Sequence, residues 1–140
     1  MKAKFKISLT RPDGDGYSAL SNMDEISSEP FADGLVKVNF RESVAMSTYL
    51  TVFIVSDFEP VSEKIIPSVG EPFDLRCFST PAQTSKLDFA LKTSVAVIKY
   101  YIDYFNIPYP LPKLDLAAIP DFVSGAMETW GEQKLSLIHI

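Results

Sequence analysis

The chain changes its hydrophobic period once, near residue 80. Before that point apolar residues alternate with polar ones over residues 4–9, 35–40 and 73–78, and residues 47–58 form a longer stretch rich in Val, Ile, Thr, Phe and Tyr. A period of two predicts strands, with one face of each turned to a core. Turn residues divide them: Pro12-Asp13-Gly14-Asp15-Gly16, then Ser27-Ser28-Glu29-Pro30 with Asp33-Gly34, then residues 67–72 with two prolines and Gly70. Short strands at such intervals predict an antiparallel sandwich. Asp13-Gly14-Asp15 has the look of a calcium loop but lacks the carboxylate ladder and terminal Glu that such a loop needs.

Past residue 80, Leu87, Leu91, Val95, Ile98, Ile102 and Phe105 recur at steps of three and four, the spacing of one helix face. Two caps are available at its start. Thr80 precedes Pro81, which suits the first helical position, and Ser85 with Asp88 has the spacing of a capping box. Pro108, Pro110 and Pro112 forbid continuation beyond about Asn106, since proline lacks the amide a helix needs. Residues 114–119 then read as a strand closed by Pro120, and Gly125 opens a last short segment over residues 126–130.

Composition adds mainly exclusions. The formal charge is −5 and the sequence pI about 4.8, with no clustered Lys and Arg, so a nucleic-acid or anionic-membrane surface is not expected. A single cysteine, Cys77, sits at a strand position and reads as a buried structural thiol. The amino-terminal residues have no apolar run of signal-peptide type, and the longest nearly unbroken apolar run, residues 49–55, is too short to span a bilayer.

Chemistry enters with a resemblance. Pro108-Tyr109-Pro110-Leu111-Pro112-Lys113-Leu114-Asp115-Leu116-Ala117-Ala118-Ile119-Pro120-Asp121-Phe122, followed by Gly125-Ala126-Met127-Glu128-Thr129-Trp130-Gly131, resembles the zinc aminopeptidases related to aminopeptidase N, whose exopeptidase signature is Gly-Ala-Met-Glu-Asn. The likeness points to the branch containing aminopeptidase A, the insulin-regulated (oxytocinase) aminopeptidase and the endoplasmic-reticulum aminopeptidases. It extends upstream through Ala19-Leu20-Ser21-Asn22-Met23, Met46-Ser47-Thr48-Tyr49-Leu50 and Val55-Ser56-Asp57-Phe58.

The resemblance implies a mixed, β-rich fold, in which a partial antiparallel β-sandwich precedes the first helix and strands of a thermolysin-like α/β catalytic domain. Residues 1–79 would be the later part of the sandwich, residues 80–131 the start of the peptidase domain, and residues 132–140 a non-native tail. That tail ends Leu-Ser-Leu-Ile-His-Ile, like a translated sequencing adaptor, and gives His139 no role. The family's zinc motif, His-Glu-x-x-His, lies downstream of the signature. A chain with one histidine cannot contain it, so zinc belongs to the full-length family and no metal or catalytic residue is expected within this chain.

By the same resemblance Gly125, Ala126, Met127 and Glu128 are the substrate-binding residues. Glu128 would receive the free α-ammonium of a peptide substrate, and Gly125, Ala126 and Met127 would lie along a strand edge where the peptide pairs with the main chain. Thr129 departs from the family's asparagine, and Trp130 is expected to pack. The implied partners are peptides presenting free amino termini, and the implied location is a membrane-anchored protein at the cell surface or in the secretory pathway. The alternative is a non-catalytic β-sandwich binding module, or a truncated decoy isoform, that binds peptide without hydrolysis.

Overall fold

A computed structural model describes residues 1–122 and 125–136; His139 and the end of the expected tail lie outside the described residues. The alternating first half becomes β1 (Ser8–Pro12), β2 (Ser18–Ser21), β3 (Glu25–Ala32), β4 (Leu35–Phe40), β5 (Phe53–Ser56), β6 (Glu59–Ile65) and β7 (Phe73–Ser79). The 3.6-period stretch becomes α1 (Leu87–Phe105), followed by β8 (Lys113–Ile119), β9 (Ala126–Thr129) and β10 (Glu132–Ser136). The architecture is mixed and β-rich, with antiparallel strands first and one α-helix after them.

Three sheets result. β1, β4 and β3 form one, in the order β1-β4-β3, and β2 with β5 forms a second; every pairing in both is antiparallel. The third has the order β6-β7-β8-β10-β9. Within it β7 runs parallel to β8 and β8 parallel to β10, while β6 and β9 pair antiparallel with their neighbours. This sheet continues across residue 79, where the change of period placed a domain boundary. The physical reason is that parallel neighbours need a crossover, and α1 is the crossover that carries the chain from β7 to β8.

Several local expectations change in the structure. Ser27-Ser28-Glu29-Pro30 is not a break but the middle of β3, whose eight residues are all exposed, so no alternation of burial marked it. The stretch 47–58 is not one strand: Thr48–Leu50 form a single 3-10 turn, and only Phe53–Ser56 pair with a neighbour. At the helix start a 3-10 segment, Pro81–Lys86, precedes α1; Thr80 stands at its N-cap position with Pro81 just inside but makes no side-chain capping bond, and the Ser85 and Asp88 box is not formed. Asn106 ends the helix in the left-handed conformation, φ 52°, a common stop. Of the predicted face, Leu87, Val95 and Ile102 are buried, Leu91 and Ile98 half-buried, and Phe105 is exposed.

The main core packs α1 against the third sheet, with Leu87, Val95 and Ile102 meeting Ile65, Phe73, Leu75, Cys77 and Leu116. Burial pushes the Cys77 thiol up to about 11, which keeps it unreactive near neutral pH. A second core joins the halves of the chain: Leu20, Val52, Ile54 and Phe58 from the β2–β5 region pack with Phe78 of β7 and Ala117 of β8. Among the described residues no helix is long and apolar enough to cross a membrane.

Candidate functional site

The signature segment folds as one arm of a hairpin. β9 pairs with β10 from Thr129↔Glu132 to Ala126↔Leu135, and Trp130 with Gly131 forms the two-residue turn. Such a turn requires positive φ, which Gly131 supplies at 78°. Glycine is demanded here for a second reason. A Cβ on Gly131 would collide with the backbone oxygen of Asn22, so the turn lies directly on the chain of the first half.

β9 is the last strand in its sheet, with a neighbour on one side only among the described residues. Gly125, Ala126 and Glu128 are exposed, Met127 is half-buried and Thr129 is buried, the alternation of a strand with one face inward. Glu128, opposite Gln133, thus presents its carboxylate to solvent from an open sheet edge. Thr129, the departure from the signature, turns inward and its hydroxyl donates to the Glu132 carbonyl across the turn. The hydroxyl therefore closes the hairpin locally. Trp130, expected to pack, is 45% exposed, and its inner edge lines an apolar hollow of about 240 Å³ with Ile98, Tyr109 and Leu111. A turn residue has neighbours on one side only, so half its ring stays in water.

Beneath the hairpin lies a charged cluster that the sequence reading did not single out. The Asp115 carboxylate, with no exposed side-chain surface, accepts two bonds of 2.7 Å from the Arg76 guanidinium and one of 2.6 Å from Lys113 Nζ. Lys113 is 3% exposed and also donates to the Ser21 carbonyl, tying β8 to β2. The Tyr109 hydroxyl donates to the Lys113 carbonyl at 3.1 Å, and burial raises its pKa. Glu132 completes the cluster poorly. It is fully buried, neither carboxylate oxygen has a hydrogen-bond partner among the described residues, and Lys113 Nζ is 4.0 Å away. Burial pushes its carboxyl up to about 7, against the opposing pull of Lys113.

Asn22 joins this cluster to the hairpin. Its side-chain amide donates to the Leu50 and Trp130 carbonyls, both at 2.8 Å, and its Oδ1 accepts the Val52 N–H at 3.0 Å. The signal in the sequence was present but unread. Lys113 and Asp115 stand two apart in an otherwise apolar strand, and so share its inward face, where charges are rare unless paired.

The residues present do not fit a zinc site. The chain has one histidine, the motif His-Glu-x-x-His is absent from the sequence, and among the described residues no three His, Cys, Asp or Glu side chains are grouped to hold an ion.

Comparison with known proteins bears on the whole chain. The peptidase M1 N-terminal domain matches residues 1–50, and the peptidase family M1 domain matches residues 89–139, which includes residues beyond the turn at Gly131. Over 130 residues, 93% of this chain, it is 47% identical to human endoplasmic reticulum aminopeptidase 1 and 42% identical to human glutamyl aminopeptidase. Bovine endoplasmic reticulum aminopeptidase 2 is 43% identical over a stretch of the same length. The chain spans about 13% of the length of these relatives. Two domain types in family order, with identities above 40% across nearly the whole chain, place it: this chain belongs to the M1 peptidase family, in the branch of the endoplasmic reticulum and glutamyl aminopeptidases.

Proposed function

We propose that this chain is a segment of a zinc-dependent aminopeptidase of the secretory pathway, and that its own contribution is to hold the amino terminus of a peptide substrate. Glu128 is the residue that does so. The observation that carries this reading is the placement of Glu128, exposed on β9 at the open edge of the third sheet. An extended peptide laid beside that edge pairs with the main chain of Gly125, Ala126 and Met127, and its terminal ammonium then meets the carboxylate. A charge-assisted bond of this kind favours a free amino terminus over a blocked one by about tenfold to hundredfold. Hydrolysis needs the metal motif His-Glu-x-x-His, which the sequence does not contain, so the chain by itself binds and does not cut.

Two measurements test this. The 140-residue chain is expected to show no turnover of aminoacyl fluorogenic substrates with added zinc; zinc-dependent turnover would refute the reading. In a chimera carrying residues 1–131 in place of the matching segment of human endoplasmic reticulum aminopeptidase 1, Glu128→Ala is expected to raise KM for substrates with free amino termini by about tenfold or more with zinc content unchanged. Unaltered kinetics would remove Glu128 from substrate recognition.

A further inference from the structure

We infer that Asn22, in the N-terminal half of the chain, is a positioning residue for the Gly125–Thr129 strand: it grips the hairpin turn and so sets which residues of β9 face outward. Three of the four hydrogen-bonding directions of its side-chain amide are used, both donors among them. Both hydrogens donate, one to Leu50 O and one to Trp130 O, and Oδ1 accepts the Val52 N–H. The residue is 1% exposed, so none of these bonds can be exchanged for water without opening the structure.

The grip falls on the turn itself. Trp130 and Gly131 are its two residues; Asn22 holds the first by its carbonyl and presses its own backbone oxygen against the Cα of the second. On the far side the Asp115 N–H donates to the Gly131 carbonyl at 3.1 Å. Lys113 fixes the other end of the clamp by donating to Ser21 O, next to Asn22. The turn is therefore held between Asn22, the residue just past β2, and β8, and those two strands belong to different sheets.

Turn position sets hairpin register, and a slip of one residue turns every side chain to the opposite face. For β9 such a slip would carry Glu128 inward and bring Met127 or Thr129 out. A four-residue edge strand has few pairing bonds of its own to resist this, so the restraint comes from outside it. The consequence for substrate binding rests on the role proposed for Glu128; the consequence for register does not.

The test uses Asn22→Leu, which keeps the bulk and removes all three bonds, and Asn22→Asp, which keeps the shape but sets a carboxylate against two carbonyls. In the 140-residue chain, amide hydrogen exchange in β9 and β10 is expected to quicken about tenfold in both variants while β6 and β7 stay within about twofold. Asn39→Leu, a substitution on the surface of the first sheet, is the control and leaves both regions unchanged. Uniform acceleration throughout the chain, or none in the hairpin, overturns the inference. In the chimera Asn22→Leu is expected to raise KM about tenfold with kcat changed less than about threefold. If Glu128→Ala leaves KM unaltered there, the role of Glu128 fails, and hairpin exchange alone still decides Asn22.

Discussion

The first sheet and the third handle charge in opposite ways. Around the first, charged residues stay at the surface: Arg41, just past β4, meets Asp24, just before β3, in a bidentate pair at 2.8 Å that remains in contact with water, and β3 exposes all eight of its residues. In the third, Lys113 and Asp115 are taken fully inside and joined to Arg76, in the same strand that supplies Leu116, Ala117 and Ala118 to the core. The reason is position. β4 is flanked by a partly buried β1 and a fully exposed β3 in a small sheet, whereas β8 is the central strand of five, in contact with both the end of β2 and the hairpin turn. A surface pair is screened by solvent and contributes little; a buried one carries a desolvation cost that its partners must offset, so losing a single partner is expensive.

The sharpest test of that contrast is Asp115→Ala. It leaves two cations facing each other, one of them fully buried, with only the Glu132 carboxyl of the cluster, 4.0 Å from Lys113 Nζ, to offset them, and is expected to lower stability by about 3–5 kcal/mol in urea titration. A loss no larger than that of an ordinary surface substitution would erase the distinction between the two regions.

Next in size is Glu132, the member of the buried cluster with no hydrogen-bond partner among the described residues. Arg76 of β7, Lys113 and Asp115 of β8 and Lys134 of its own strand all act on it, and desolvation outweighs the three cations, raising the carboxyl from the usual 4.5 to about 7. The folded state therefore binds a proton that the unfolded chain has released. Stability from this group is present below about pH 4.5 and is lost as pH rises through about 7. Glu132→Gln is expected to leave the urea midpoint nearly unchanged at pH 5 and to raise stability by about 3 kcal/mol at pH 8. Equal midpoints at both pH values would show that the carboxylate finds a partner. Asp24 does not confuse the comparison: its carboxyl is held below the ordinary value by the Arg41 hydrogen bond, so its contribution is lost only at more acidic pH.

The smallest effect is expected from Arg41→Ala, whose guanidinium is in water throughout. Its denaturation midpoint should match that of the parent chain within error, and a clear loss would mean that the first sheet depends on this pair after all.

How much could be read in advance differs between elements for physical reasons. α1 was legible because six apolar positions at helical spacing describe one face, buried at Leu87, Val95 and Ile102, and three prolines mark its end. β3 was not, because a strand with no buried face has no alternation to read and carries a Pro30 that looks like a break. Its strand character comes from pairing with β4, a partner defined only in space. The signature segment was recognised from its residues, and its place at a sheet edge needed the order β6-β7-β8-β10-β9, which pattern alone does not supply.

Sequence by itself determined the helix, the family and the absence of the zinc motif, since each depends on residue types at short, fixed spacings. Tertiary structure alone decided that Asn22 holds Trp130, 108 positions away, that Lys113 reaches Ser21 across 92, and that Glu132 is buried with no hydrogen-bond partner among the described residues. Those facts follow from how three sheets are brought together, and the net energy of each bond is set by its burial, which no local pattern records.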